Sequence, residues 1–118
     1  MALNPSSELR EVTGISDAER TSIMAFMQGA VYSWVKNRKD EPFAVRDLVG
    51  GENFDWAGTP LVVLYEKHRQ GKSNPEAIEA AAKDLGWLTK TVLAQDKRTF
   101  IPSKVGLVSH YRWVGGEP

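Results

Sequence analysis

The chain has no cysteine in 118 residues, which rules out a disulfide framework, a thiolate metal site and a cysteine nucleophile. It has no run of 18 or more apolar residues, so no membrane-spanning helix is predicted. Its opening, MALNPSSELREV, has neither the basic start nor the apolar stretch of a signal peptide, and a cytoplasmic protein is expected. Net charge is missing as well: fifteen Lys/Arg offset fifteen Asp/Glu, so the whole molecule has no strong pull on a polyanion. There is no Gly-x-Ser-x-Gly elbow and no glycine-rich nucleotide fingerprint. Gly71-Lys72-Ser73 looks like the end of a phosphate loop. However, Glu66 occupies the place of the required first glycine, and Asn74-Pro75 intervenes before the next helix. The candidates for proton transfer near neutral pH are His68 and His110, and neither has metal-ligand spacing to the other or to a nearby carboxylate. No catalytic residue, cofactor or metal is assigned, and the expectation is a protein that is not an enzyme.

The chain does have enough apolar material (42% of residues) to build one core at single-domain length. Residues 1–15 read as a flexible arm, with a short helical turn around Glu8–Val12. Ser16-Asp17-Ala18-Glu19 is a capping box that starts a helix running to about Arg38. Ile23, Phe26, Met27, Ala30, Val31, Trp34 and Val35 recur at helical spacing and are read as its core stripe. A short helix is expected over Phe43–Val49, ended by Gly50-Gly51, and then a loop in which Phe54 and Trp56 fold back over the core and bound a candidate ligand pocket. Thr59-Pro60 starts a further helix, with Leu61, Leu64, Tyr65 and His68 inward.

The stretch Ser73–Thr99 carries the most information. Asn74 is read as an N-cap, Pro75 as the first helical residue, and Glu76 as a charge suited to the positive helix end. Ile78, Ala81, Ala82 and Leu85 line one face. Gly86 then supplies a left-handed stop, and Trp87-Leu88 opens a second helix bearing Val92. This pattern resembles the helix-turn-helix family. Ala82 sits where a small residue lets the second helix approach, Gly86 makes the turn, and Trp87 and Val92 anchor the second helix. Gln95 stands where the family prefers another aliphatic residue. Thr99–Ile101 and Leu107–Val114 alternate as strands around a turn at Pro102–Gly106, with Leu107, Ser109, Tyr111 and Trp113 on one face. A hairpin directly after such a unit is similar to the wing of a winged helix.

The expected fold is therefore mainly α with a C-terminal β-hairpin (α+β), winged-helix-like. It comprises an arm over 1–15, one domain over 16–114 containing the helix-turn-helix (74–98) and hairpin (99–114), and a disordered tail over 115–118. The resemblance implies a small protein that binds double-stranded DNA, a transcriptional regulator in type. Its contacts would be Thr89, Lys90, Leu93, Lys97, Arg98, Lys104 and Arg112, in a segment where basic residues outnumber acidic ones. The competing expectation is a protein-interaction module or homodimer in which Trp56, Trp87, Tyr111 or Trp113 contributes to an exposed aromatic patch.

Overall fold

The computed structural model describes residues 9–38, 41–49, 55–96, 99–105 and 108–115. Helices α1 (Asp17–Asn37), α2 (Val62–Arg69) and α3 (Asn74–Gln95) are followed by an antiparallel hairpin of β1 (Thr99–Val105) and β2 (Val108–Gly115). The mainly helical α+β class expected from the sequence is the one observed.

Local chemistry sets the helix starts. Glu19 N–H donates to the Ser16 hydroxyl at 3.0 Å, and Ser16 N–H donates to the Glu19 carboxylate at 2.8 Å. That is the reciprocal capping box the sequence contains. α3 is capped one residue earlier than expected, by Ser73 rather than Asn74. Its hydroxyl accepts from Glu76 N–H at 3.4 Å and donates to the Glu76 carboxylate at 2.7 Å. Over Phe43–Val49 the expected helix shortens to a 3-10 turn, Val45–Leu48, whose start is capped by the Asp47 carboxylate accepting from Ala44 N–H at 2.8 Å. Gly50, Gly51 and Phe54 lie outside the described residues.

Two corrections concern elements the sequence divided differently. The first is at Gly86, where no turn forms: α3 is one 22-residue helix from Asn74 to Gln95. Among the described residues the positive-φ glycines are Gly14 and Gly58, not Gly86. The reason is one of magnitude. A glycine inside a helix costs about 1 kcal/mol relative to alanine, whereas each buried leucine or valine is worth roughly 1.5–3 kcal/mol. Ala77, Ala81, Leu85, Leu88, Val92 and Leu93 are all buried on one continuous helical stripe, and breaking the helix at Gly86 would throw the second half of that stripe out of phase.

The second correction is at Pro102, which lies inside β1 instead of ending it. Proline has no N–H to give a ladder and is tolerated on an edge. Pro102 sits opposite Tyr111, and Tyr111 exchanges both of its backbone bonds with Phe43 on the other side, each at 2.8 Å. The alternation expected along β2 shows at Tyr111 and Arg112 alone among the described residues, with Val108, His110 and Trp113 all half-buried. Tyr111 is buried and Arg112 exposed.

The core has two lobes. Ile23 and Met27 of α1 meet Leu61 and Leu64, Ala81, Leu85, Leu88 and Val92 of α3, with Trp56 and Val12 closing the side. Val31 and Val35 meet Phe43, Leu93, Phe100 and Tyr111. Val12 is only 3% exposed, and its carbonyl accepts from the Arg20 guanidinium at 2.5 Å. Within residues 9–15, Val12 and Ile15 pack against the body while the other five are exposed, and Glu11–Val12 are not helical. The α1 stripe is narrower than the sequence suggested: Ile23, Met27, Val31 and Val35 are buried, but Phe26 is 39% exposed.

Burial pushes the Tyr111 phenol above its ordinary value of 10.0. The fold favours the neutral phenol, so this contribution is complete below pH 10 and is lost as pH rises through the folded-state pKa. Alkaline unfolding is therefore expected to coincide with a late phenolate absorbance step. Tyr111→Phe should remove that step; a late step that persists in this variant belongs to another tyrosine.

Candidate binding groove

The described residues enclose an open groove of about 410 Å³ between the middle of α3, residues 44–46 and β2. It is lined by the small residues Ala44, Ala82 and Gly86 and by the apolar side chains of Trp87, Tyr111, Val45 and Val108. Arg46, Lys83 and Lys90 stand around it with one carboxylate, Glu79, so the groove is apolar inside and cationic at its edge. The Lys90 ammonium lies 5.4 Å from the centre of the Trp87 ring, and the Arg10 guanidinium 4.7 Å from it, both in cation–π range. Lys83 and Glu79 are 3.5 Å apart but largely exposed, a pairing that water screens almost fully. A Cβ built on Gly86 would meet nothing within 4 Å, so the space beside Gly86 is open and not a place where the protein's own chain approaches closely.

Two of the residues assigned to DNA contact lie in the core. Thr89 and Leu93 are both 0% exposed, because the unbroken α3 turns that face into the core; neither can touch a duplex. Lys90 is half-buried on the groove edge, and Arg112 is exposed on the hairpin face opposite Tyr111. Lys104 falls in β1 opposite Ser109. Lys97 and Arg98 lie outside the described residues. Of the aromatics in the competing expectation, Trp56 and Tyr111 are each 5% exposed, and Trp87 and Trp113 are half-buried; among the described residues the exposed aromatics are Phe26 and Tyr32 on α1.

The Thr89 hydroxyl is buried with no hydrogen-bond partner. Burying an unpaired hydroxyl costs more than it returns. Thr89→Val, which keeps the shape, is expected to raise stability by about 1 kcal/mol. Urea unfolding checks this, and a loss of stability would show that the hydroxyl has a partner after all.

Two further features were not legible in the sequence. His68 Nε2 lies 2.7 Å and Lys67 Nζ 2.8 Å from the same Asp84 carboxylate oxygen, a cluster joining α2 to α3. Lys67 also donates to the Thr13 carbonyl, which ties residues 9–15 to the same point. Sixteen positions separate His68 from Asp84, so no local spacing announces the pair. Lys67 and His68 of α2 both engage Asp84 of α3, and the cluster acts as a brace between the two helices. The second feature is a pocket of about 260 Å³ beside Trp56, lined by Val62, Tyr65, Asn74 and Ile78. Tyr65 donates to Asn74 among the lining residues.

Among the described residues no three His, Asp or Glu side chains are grouped to hold a metal ion, and no helix is long and apolar enough to cross a membrane. No family model, curated protein or solved structure matches the chain.

Proposed function

We propose that the protein is a protein-interaction module whose groove receives an acidic, amphipathic helical segment of a partner. The observation that carries this reading is the groove's construction. The small residues Ala44, Ala82 and Gly86 serve as its floor between Trp87 and Tyr111, and Lys83 and Lys90 lie at its edge beside Glu79, the carboxylate among the described lining residues. A concave apolar channel with a charged edge suits a helix laid into it, with small floor residues admitting the apolar ridge and the cations meeting flanking carboxylates. Keeping glycine at 86, where the helix would be better served by almost any other residue, fits a floor that must stay shallow.

The test uses a displayed library of helical peptides carrying Leu/Ala ridges with Glu flanks, read by Trp fluorescence and by direct titration. Enriched peptides are expected to bind the parent chain, to lose binding to Gly86→Leu, and to weaken about tenfold or more with Lys90→Glu. Leucine at 86 fills the floor while favouring the helix, so the variant should stay folded. Peptides that bind both variants as well as the parent chain would sink the reading.

A second reading, duplex DNA binding, is favoured by one specific observation. The order α1, Phe43 paired to β2, α2, a short turn, α3 and a hairpin resembles that of a winged helix, in which α2 and α3 would take the place of the helix-turn-helix. Against it, the exposed N-terminal half of α3 carries Glu76 and Glu79 as well as Lys83. Duplex binding at low salt that falls steeply with added salt and disappears in Lys83→Ala/Lys90→Ala would favour this reading over the first.

A further inference from the structure

The sequence between Arg20 and Lys36 contains no charged residue, yet that stretch of α1 is only half covered. Ser22, Ala25, Phe26, Gly29, Tyr32, Ser33 and Lys36 are exposed along one side of the helix. Phe26 is 39% and Tyr32 45% exposed. A Cβ on Gly29 would meet nothing within 4 Å, so packing within the chain gives no reason for a glycine in the middle of this helix. We propose that this face of α1 is a homodimer interface, in which two copies pack their α1 helices antiparallel about a twofold axis through Gly29.

The arrangement of residues selects a second copy over other occupants. Around Gly29 the face is close to self-complementary, as a twofold interface requires. Antiparallel packing sets Ala25 against Ser33 of the second copy, small against small, and Phe26 against its Tyr32, aromatic against aromatic. Two glycines at the crossing let the helix axes approach to the short end of the usual 8–10 Å separation. The charges agree with this direction. The first turn holds Asp17 and Glu19 and the last turn Lys36, so antiparallel copies bring acidic starts toward basic ends, whereas parallel copies bring like toward like. A 21-residue helix is about 31 Å long. Two such faces would bury on the order of 1,000 Å² in total, the lower edge of a specific interface and suited to a micromolar dimer. The face is separate from the groove, so either assignment stands without the other.

The test is sedimentation equilibrium of the full chain from about 1 to about 300 μM, a range bracketing micromolar association. The parent chain is expected to pass from monomer to dimer. Gly29→Arg places like charges on the axis in a position open enough to accept the side chain, and should stay monomeric with its helical circular dichroism intact; Tyr32→Glu should do the same. The chain has no cysteine, so direction can be read separately with a short bis-maleimide linker. Mixed Ala25→Cys and Ser33→Cys chains should cross-link to each other more than either does to itself. Three outcomes overturn the proposal: a parent chain that stays monomeric throughout, a dimer unaffected by Gly29→Arg, or a monomer that binds neutral phosphatidylcholine vesicles through the same face.

Discussion

Proline at position 86 is expected to cost about 3 kcal/mol or more, while alanine at the same position is expected to stabilise the protein by about 1 kcal/mol. The pair reports on whether α3 is one helix. Gly86 lies in the interior of α3 with no positive φ, and a Cβ there meets nothing, so alanine adds helix propensity without strain. Proline removes the Gly86 N–H bond and presses its ring on the preceding turn, with buried Leu85 and Leu88 on either side. Were Gly86 a left-handed helix stop, alanine would instead destabilise, because a side chain at positive φ is strained. The sign of the Gly86→Ala change therefore decides the matter, and thermal unfolding should read it as a rise of about 4 °C. A fall would restore the helix break.

Phe43→Ala should cost about 4 kcal/mol, a large share of the roughly 5–15 kcal/mol that holds an ordinary domain folded. Phe43 is 0% exposed. Its ring centre lies 5.8 Å from Trp34, 6.1 Å from Phe100 in an edge-on arrangement, and 6.1 Å from Tyr111. It thus joins α1 to both strands of the hairpin, and its backbone pairs with Tyr111 on β2. Truncation leaves a cavity where three elements meet and removes the favourable ring geometry. Phe43→Leu, which keeps most of the volume, should lose about half as much or less. Denaturant unfolding with an unchanged slope would confirm a pure stability effect, and a loss below about 1 kcal/mol would mean the hairpin is held by something else.

Features that depend on a few neighbouring residues were legible. The Ser16–Glu19 capping box, the inward Leu61 and Leu64, and the alternation of Tyr111 and Arg112 follow from hydrogen bonds or periodicities contained within one element. Gly86 misleads because a glycine after Leu85 is a sound local stop signal. The competing signal, the unbroken phase of Ala81, Leu85, Leu88 and Val92, weighs more only when summed over the helix. Thr89 and Leu93 take their environment from the same choice, exposed if the helix breaks and buried if it continues. Phe26 stands outside because its α1 stripe contains more apolar residues than one contact face can hold, and periodicity alone does not say which edge is left over.

By itself, the sequence determined that this is a mainly helical chain closed by a hairpin, that a capping box at Ser16 starts its first helix, and that no cysteine chemistry is open to it. Those properties are written in short-range propensity and composition. Tertiary structure alone decided that α3 continues through Gly86, that His68 and Lys67 share Asp84, and that α1 turns an uncharged aromatic face outward. It also brought residues 44–46, the middle of α3 and β2 around one cationic groove. Each of these depends on burial shared between elements far apart in the chain, where several kilocalories of packing outweigh the single kilocalorie of a local preference.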